Sequence, residues 1–474
     1  MESGSDSTAI KPDAAIAPNA ASAPAPDAKK PRSGLRLPLV PILGFLFLSF
    51  LLGAATMFFR LPLSGTLSKG FMGARAWTES HIAGKQSAGE MRPASASNID
   101  RPEKTFDGYT LYACASQTAP STRVSLIDMQ QKVVHEWSVS FARIWPNPPQ
   151  LQGRQIDDSQ VCVFACHLYP NGDLLVVFHS LEKTVRGYGL AKVDKDSQLI
   201  WSYSANVHHD VTVGEDGTIY TIVQRPLNES IKGLEFIPTP WLVDHLVVLS
   251  PDGKELQEPI SILEALRNSS YSTLLSPLET ALKPVDVAAT TDDAIRDLRM
   301  KQDVLHTNSV NVLSRAMAPK FPQFKPGQVL LSIRSLHAIA VLDPSTRTIV
   351  WGTRGPWNYQ HDAQFLENGH LLLFDNIGSP RGSRVLEYNP KNGSFPWSYP
   401  GIDNAPFFTS ERGMAQRLPN GNTLVAVSEG REIFEVTEGK EVVWTCVAHS
   451  FITTARRYAP DRITFLKPGQ RPRN

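Results

Sequence analysis

Residues 358–376 read NYQHDAQFLENGHLLLFDN. Leu371 to Phe374 form the apolar run of a buried strand, and Asn368-Gly369 ahead of it is a tight-turn pair, so the stretch predicts a β-hairpin. A histidine, His361, stands at the entry of the first strand, where a core strand has no use for one. Its meaning depends on whether the stretch is a single hairpin or one copy of a repeat.

The stretch recurs. HLYPNGDLLVVF from His167, HDVTVGEDGTIYTI from His209 and GMAQRLPNGNTLVAV from Gly413 share its plan of strand, Asn-Gly or Asp-Gly turn, and strand. A second hairpin follows each, in LAKVDKDSQLIWSY, HLVVLSPDGKEL, VLEYNPKNGSFPWSY and IFEVTEGKEVVW. VSLIDMQQKVVHEW from Val124 and HTNSVNVL from His306, with its following QVLLSIR and IAVLDPSTRTIVW, supply two looser copies. Two hairpins make a four-stranded sheet, and about six such units predict an all-β, six-bladed β-propeller. Trp137, Trp201, Trp351, Trp397 and Trp444 recur at the ends of second hairpins and are expected to pack between blades. Residues 255–303 break the pattern with helical spacing and read as an insertion leaving the propeller. Residues after Trp444 are expected to return toward the first blade or to pack beneath the ring.

The chain has 474 residues, formal net charge +1, 36 prolines and four cysteines. The near-zero charge argues against a nucleic-acid partner, and no Gly-rich phosphate loop supports a nucleotide cofactor. Residues 1–36 are rich in Ala, Pro and Ser and read as a disordered tail. Residues 37–59 carry no charge and, at about 1.5 Å per residue, are long enough to span a hydrocarbon core of about 30 Å. Lys29, Lys30, Arg32 and Arg36 precede them, so the positive-inside rule predicts a cytoplasmic tail, a single transmembrane helix and an extracytoplasmic body; a cleaved signal peptide is the rival. Residues 60–105 read as a linker and 106–474 as the propeller domain.

Counting eight residues back from the turn glycines Gly217 and Gly369 reaches His209 and His361, while Gly421 gives Gly413. His306 holds a related place in a third blade, and His208 adjoins His209. The innermost strands of a propeller line its central channel, so residues at their entries gather near the axis. His135, His245, His337, His370 and His449 fall off this position and read as structural; His167 is undecided. Three chemistries fit a cluster of axial histidines: metal ligation, nucleophilic or acid–base catalysis, and anion binding. Arg334, at the end of QVLLSIR, favours an anionic ester, because a guanidinium opposes a metal ion and offers a planar fork of donors to sulfuryl or phosphoryl oxygens.

In HHDVTV, DVLHTNSVNVL, LLSIR and QHDAQFLENGHLLLFDN, residues 160–445 resemble the bacterial aryl sulfotransferases that use no nucleotide sulfate donor. The resemblance implies a six-bladed propeller. It also implies transfer of a sulfuryl group from an aryl sulfate to a phenol, by a ping-pong route through a sulfated histidine and without a cofactor or metal. It places the nucleophile at His361, with His306, one of His208 and His209, and Arg334 in support. The chain departs from the family in its membrane span and in lacking a large amino-terminal β-domain. The disulfide of that family has no clear counterpart here: Cys162 and Cys166 are too far apart on a straight strand, whereas Cys114 and Cys446 meet only if the ring closes between them. A non-catalytic, membrane-tethered binding propeller and an axial-histidine metal oxygenase are the alternatives.

Overall fold

In a computed structural model, the described residues are 100–115, 122–148, 156–180, 187–232, 234–235, 239–280, 303–400 and 406–466, with Phe47 and Ser49. The predicted transmembrane helix at 37–59 lies outside them but for Phe47 and Ser49, both helical. Among the described residues, no helix is long and apolar enough to cross a membrane. The chain divides at Ser68/Lys69, and everything described below belongs to the second unit.

The described strands form six antiparallel four-stranded sheets, the blades of one propeller. Alternation of apolar residues on both faces suits them to it, because each blade is covered on either side by its neighbours. Leu371, Leu372, Leu373 and Phe374 of the opening stretch are all fully buried for this reason. The innermost strands of blades two to six are Val161–Leu168, Val207–Val213, Thr307–Val312, His361–Phe365 and Met414–Arg417. Each touches the inner strands on either side, which closes the ring. The inner strand of blade one is the last of the described strands, Phe451–Tyr458, paired with Tyr109–Ala115 from the start of the body. The carboxy-terminal segment therefore returns to the first blade, and the two ends of the domain share one sheet.

The recurring tryptophans do pack at blade boundaries, and four reach across with the indole N–H. Trp137 donates to Gly172 O at 3.1 Å, Trp201 to Pro251 O at 3.1 Å, Trp397 to Glu438 O at 2.9 Å and Trp444 to Met129 O at 2.9 Å. Each acceptor lies in a hairpin turn of the following blade, so the indole both fills the gap and fixes the neighbour's turn. At Gly253, a turn residue with φ +81°, an added Cβ would lie 2.6 Å from the Trp201 ring.

Of the segment read as an insertion, residues 281–302 lie outside the described residues, and the described part up to 280 begins against the propeller. Ile260–Ser261 completes the sheet of blade three, and Ile262–Arg267 forms a helix capped by Ser261. Its buried face, Ile262, Leu263, Ala265 and Leu266, joins the core between blades three and four, which is why the spacing looked helical. None of the four cysteines is in a disulfide and all are buried; Cys114 and Cys446 lie in the same hydrophobic cluster, where blade six abuts blade one.

Trp444 sits at that closure, fully buried, with the Arg457 guanidinium 4.4 Å over its ring. Trp444→Ala is expected to cost about 3–5 kcal/mol in urea unfolding, and the half-exposed Trp201→Ala distinctly less. Both variants should still unfold in one transition. Two separated transitions would contradict a single closed ring.

Candidate active site

The inner strands are irregular at one place. In blades one to five the pairing with the second strand slips, leaving Thr453, Phe164, His209 with Asp210, Asn308, and Asp362 with Ala363 at the slips. A bulge bends its strand and re-aims side chains. His209 (φ 62°), His306 (φ 50°), Tyr359 (φ 54°), Asp362 (φ 55°) and Arg412 (φ 59°) all take left-handed backbone conformations here. Such strain, uncommon outside glycine, concentrates where side chains must be held in special directions.

The bulges explain the histidine count. Asp210 and Asp362 make the same bond: each accepts the backbone N–H of the next blade's inner strand, at Val310 (3.0 Å) and Ala415 (2.9 Å). His209 and His361 are thus equivalent by position, as counted from the turn. The sheet pairings differ, however: His208, not His209, pairs opposite Ile222 in the way His361 pairs opposite Phe374. Both His208 and His209 are buried beside the axis, and their Nδ1 atoms lie 2.6 Å apart, so one donates and the other accepts. The His209 ring lies 4.8 Å from His306, 5.4 Å from Phe164 and 5.7 Å from His179, centroid to centroid. His306 comes just before its strand rather than at the equivalent position, and its Nδ1 lies 3.0 Å from Asp303 Oδ2.

Arg334 follows the second strand of blade four, not an inner one. It reaches the same mouth because that strand runs antiparallel to its neighbour: Arg334 N–H donates to His306 O at 3.1 Å. Its guanidinium lies 4.2 Å over the Tyr359 ring.

His361 is the most tightly specified of the set. Asn376 donates its amide hydrogens to Thr409 O (2.9 Å) and Arg412 O (2.8 Å), which fixes Oδ1 toward His361. His361 Nδ1 lies 2.8 Å from that oxygen and 3.0 Å from Tyr359 O. Both neighbours only accept, so Nδ1 carries the proton and Nε2 keeps its lone pair. Burial, then the positive charge of Arg334, hold the ring well below the usual histidine pKa; Arg412 and His306 add to this against the hydrogen bond the ring donates to Asn376. The imidazole is therefore neutral, with a nucleophilic nitrogen at a fixed place.

Close by lies a partly buried charged group. Arg456 pairs with Asp362, and Arg412 lies 4.2 Å over the Phe164 ring while donating to Thr453 O and Phe164 O. Burial, then the Asp362 carboxylate, push Asp210 up to about 6; burial pulls Arg412 down to about 10.

Thus His208, His209, His306, His361 and Arg334 are all brought to one mouth. The sequence reading passed over Asn376, Arg412, Phe164, His179 and Tyr359. Asn376 was legible only as the end of the opening stretch, since a strand asparagine reveals nothing until its partners are known. His370 and His135 have partners away from the cluster, Glu387 and Lys195 O, whereas His337 Nδ1 accepts the Tyr359 N–H at its edge. Among the described residues, no group of three His, Cys, Asp or Glu is arranged to hold a metal ion.

A family model described as Arylsulfotransferase (ASST) matches residues 166–450, more than half of the chain and all five histidine and arginine positions. No curated protein matches. Among solved structures, a protein of unknown function from Bacteroides caccae is 10% identical, covers 74% of this chain and 98% of its own, and gives a TM-score of 0.45. A streptogramin B lyase is 10% identical over 75% of this chain and 87% of its own, with a TM-score of 0.37.

The His361 arrangement has a direct spectroscopic signature. In a histidine-labelled sample, 15N shifts should show His361 protonated at Nδ1 only, and still neutral below pH 6.5, the ordinary value. Asn376→Leu should mix the two tautomers. A His361 that titrates normally would contradict the arrangement.

Proposed function

The chain belongs to the arylsulfotransferase family, and from that premise we propose that it moves a sulfuryl group from an aryl sulfate donor to a phenolic acceptor by a ping-pong route, with His361 as the nucleophile. The observation that carries this reading is the fixed tautomer of His361, held by Tyr359 O and Asn376 Oδ1.

In the first half-reaction the Nε2 lone pair attacks sulfur. An N–S bond forms, the S–O bond to the aryl group breaks, and the electron pair leaves on the phenolate oxygen. The ring becomes positive as Nε2 is sulfated, and the two oxygens facing Nδ1–H stabilise that charge. His306 and His209 are the imidazoles within reach of one another beside it, and one of them gives the phenolate its proton. In the second half-reaction the acceptor hydroxyl returns a proton to that imidazole as its oxygen takes the sulfuryl group. The guanidiniums of Arg334 and Arg412 supply positive charge around His361, where the three sulfuryl oxygens gather. A resting His361 that is neutral serves this chemistry, because protonation would remove the lone pair.

Release of nitrophenol from its sulfate ester, measured at several phenol concentrations, tests the reading. Parallel double-reciprocal lines are expected. His361→Ala should lower turnover by roughly 10³-fold or more, and Arg334→Lys by roughly 10²-fold, since a point charge does not reproduce the planar fork. Full turnover in His361→Ala, or no transfer by the native protein with any aryl sulfate, would overturn it.

A further inference from the structure

Gln224 is fully buried in the second strand of blade three, Ile219–Leu227. Its amide nitrogen lies 3.2 Å from Asp244 Oδ1 and 2.9 Å from Asp303 Oδ1. Both partners are carboxylates, so the NH2 end faces them. Its carbonyl oxygen, by contrast, is buried without a hydrogen bond. A side chain that leaves a buried acceptor unmet is held in place by what its donors do.

Each carboxylate backs one histidine of the site. Asp244, also fully buried, accepts Thr307 N–H through Oδ2 at 2.6 Å, and its Oδ1 lies 3.3 Å from His208 Nε2. The His208 contact is too oblique for an aligned hydrogen bond but within ion-pair reach. Asp303 meets His306 Nδ1 through Oδ2 at 3.0 Å and accepts the His306 backbone N–H through Oδ1 at 3.2 Å. One amide therefore joins two histidine–carboxylate pairs, drawn from blade three and from the segment entering blade four. His208 passes its state on to His209 through their 2.6 Å contact.

We propose that Gln224, Asp244 and Asp303 form one positioning unit, in which the two N–H bonds of Gln224 keep both carboxylates ionised so that His208 and His306 each retain an anionic partner. The role in the reaction rests on the sulfuryl-transfer reading above. Two buried carboxylates beside one atom repel, and without donors shared between them one takes up a proton. Its imidazole then loses the charge that fixes its tautomer and raises its proton affinity. With Gln224 present, both arms stand behind the paired rings of His209 and His306. The phenolate's proton leaves one of these imidazoles in the first half-reaction and returns from the acceptor in the second, so the cycle leaves the unit unchanged.

The test uses the full chain with 15N-labelled histidine and the variant Gln224→Met, which keeps length and loses both donors. A carboxylate partner raises an imidazole pKa, so its loss lowers it. The titration midpoint of His208 or of His306 should fall by about 1 unit or more, and the acid limb of the kcat profile should move with it, while KM for nitrophenyl sulfate changes less than about threefold. Adding Asp303→Asn to Gln224→Met removes one of the repelling charges; His208 should then titrate as in the native protein, and His306 should not. Native titration of both histidines in folded Gln224→Met would overturn the proposal. If Gln224→Met does not fold, Asp303→Asn alone decides: His306 should titrate lower with His208 unmoved, and an unmoved His306 overturns the proposal. Should the native protein transfer no sulfuryl group, the function fails while these titrations still judge the unit.

Discussion

The inner strand of every blade has one edge with no strand beside it. Its N–H and C=O groups face the axis, and leaving them unmet is costly. The neighbouring blade meets them with side chains. Asp210 accepts Val310 N–H, Ser309 and Asn311 accept Ala363 and Phe365 N–H, Asp362 accepts Ala415 N–H, and Gln416 accepts Arg457 N–H. Thr453 donates from blade one to Val163 O of blade two. Polar residues at the bulges are therefore a condition of closing the ring, and the same bulges turn the adjacent histidines toward the mouth.

That arrangement accounts for both the strain and the charge around the axis. A left-handed Asp362 is costly alone, but bonds from Ala415 of blade six and Arg456 of blade one hold it. Asp362 and Arg412 are buried and Asp210 and Arg456 partly so, and their mutual attraction offsets part of the desolvation each suffers. Arg334, and after it Arg412, keep positive charge near the neutral His361 ring, which suits an anionic substrate and a nucleophile that must remain unprotonated.

The blade count was legible in the sequence because turn glycines and terminal tryptophans repeat, and the equivalence of His209 with His361 followed by counting. What the count could not reveal is that the bulge falls differently in the two blades, so that left-handed geometry sits on His209 in one and on Asp362 in the other. Arg334 was legible at the end of its strand, but not the antiparallel pairing that carries this second strand's end to the same mouth. Asn376, Arg412, Gln224, Asp244 and Asp303 were invisible for a common reason. Their partners lie across sheets or blades, at separations with no period. The helix Ile262–Arg267 was visible as helical, but its docking depended on an apolar face of blades three and four that the segment itself does not show.

The central claim is that His361 Nε2 is the atom that carries the sulfuryl group. It is tested most directly by mixing the full chain with an aryl sulfate and no acceptor, then locating the adduct by intact mass and by fragment mass under mild alkaline handling. The account predicts a gain of one SO3 group, mapped to His361, lost on adding a phenol and absent in His361→Ala. An adduct mapped to His306 or His209, or a gain that persists in His361→Ala, would contradict it.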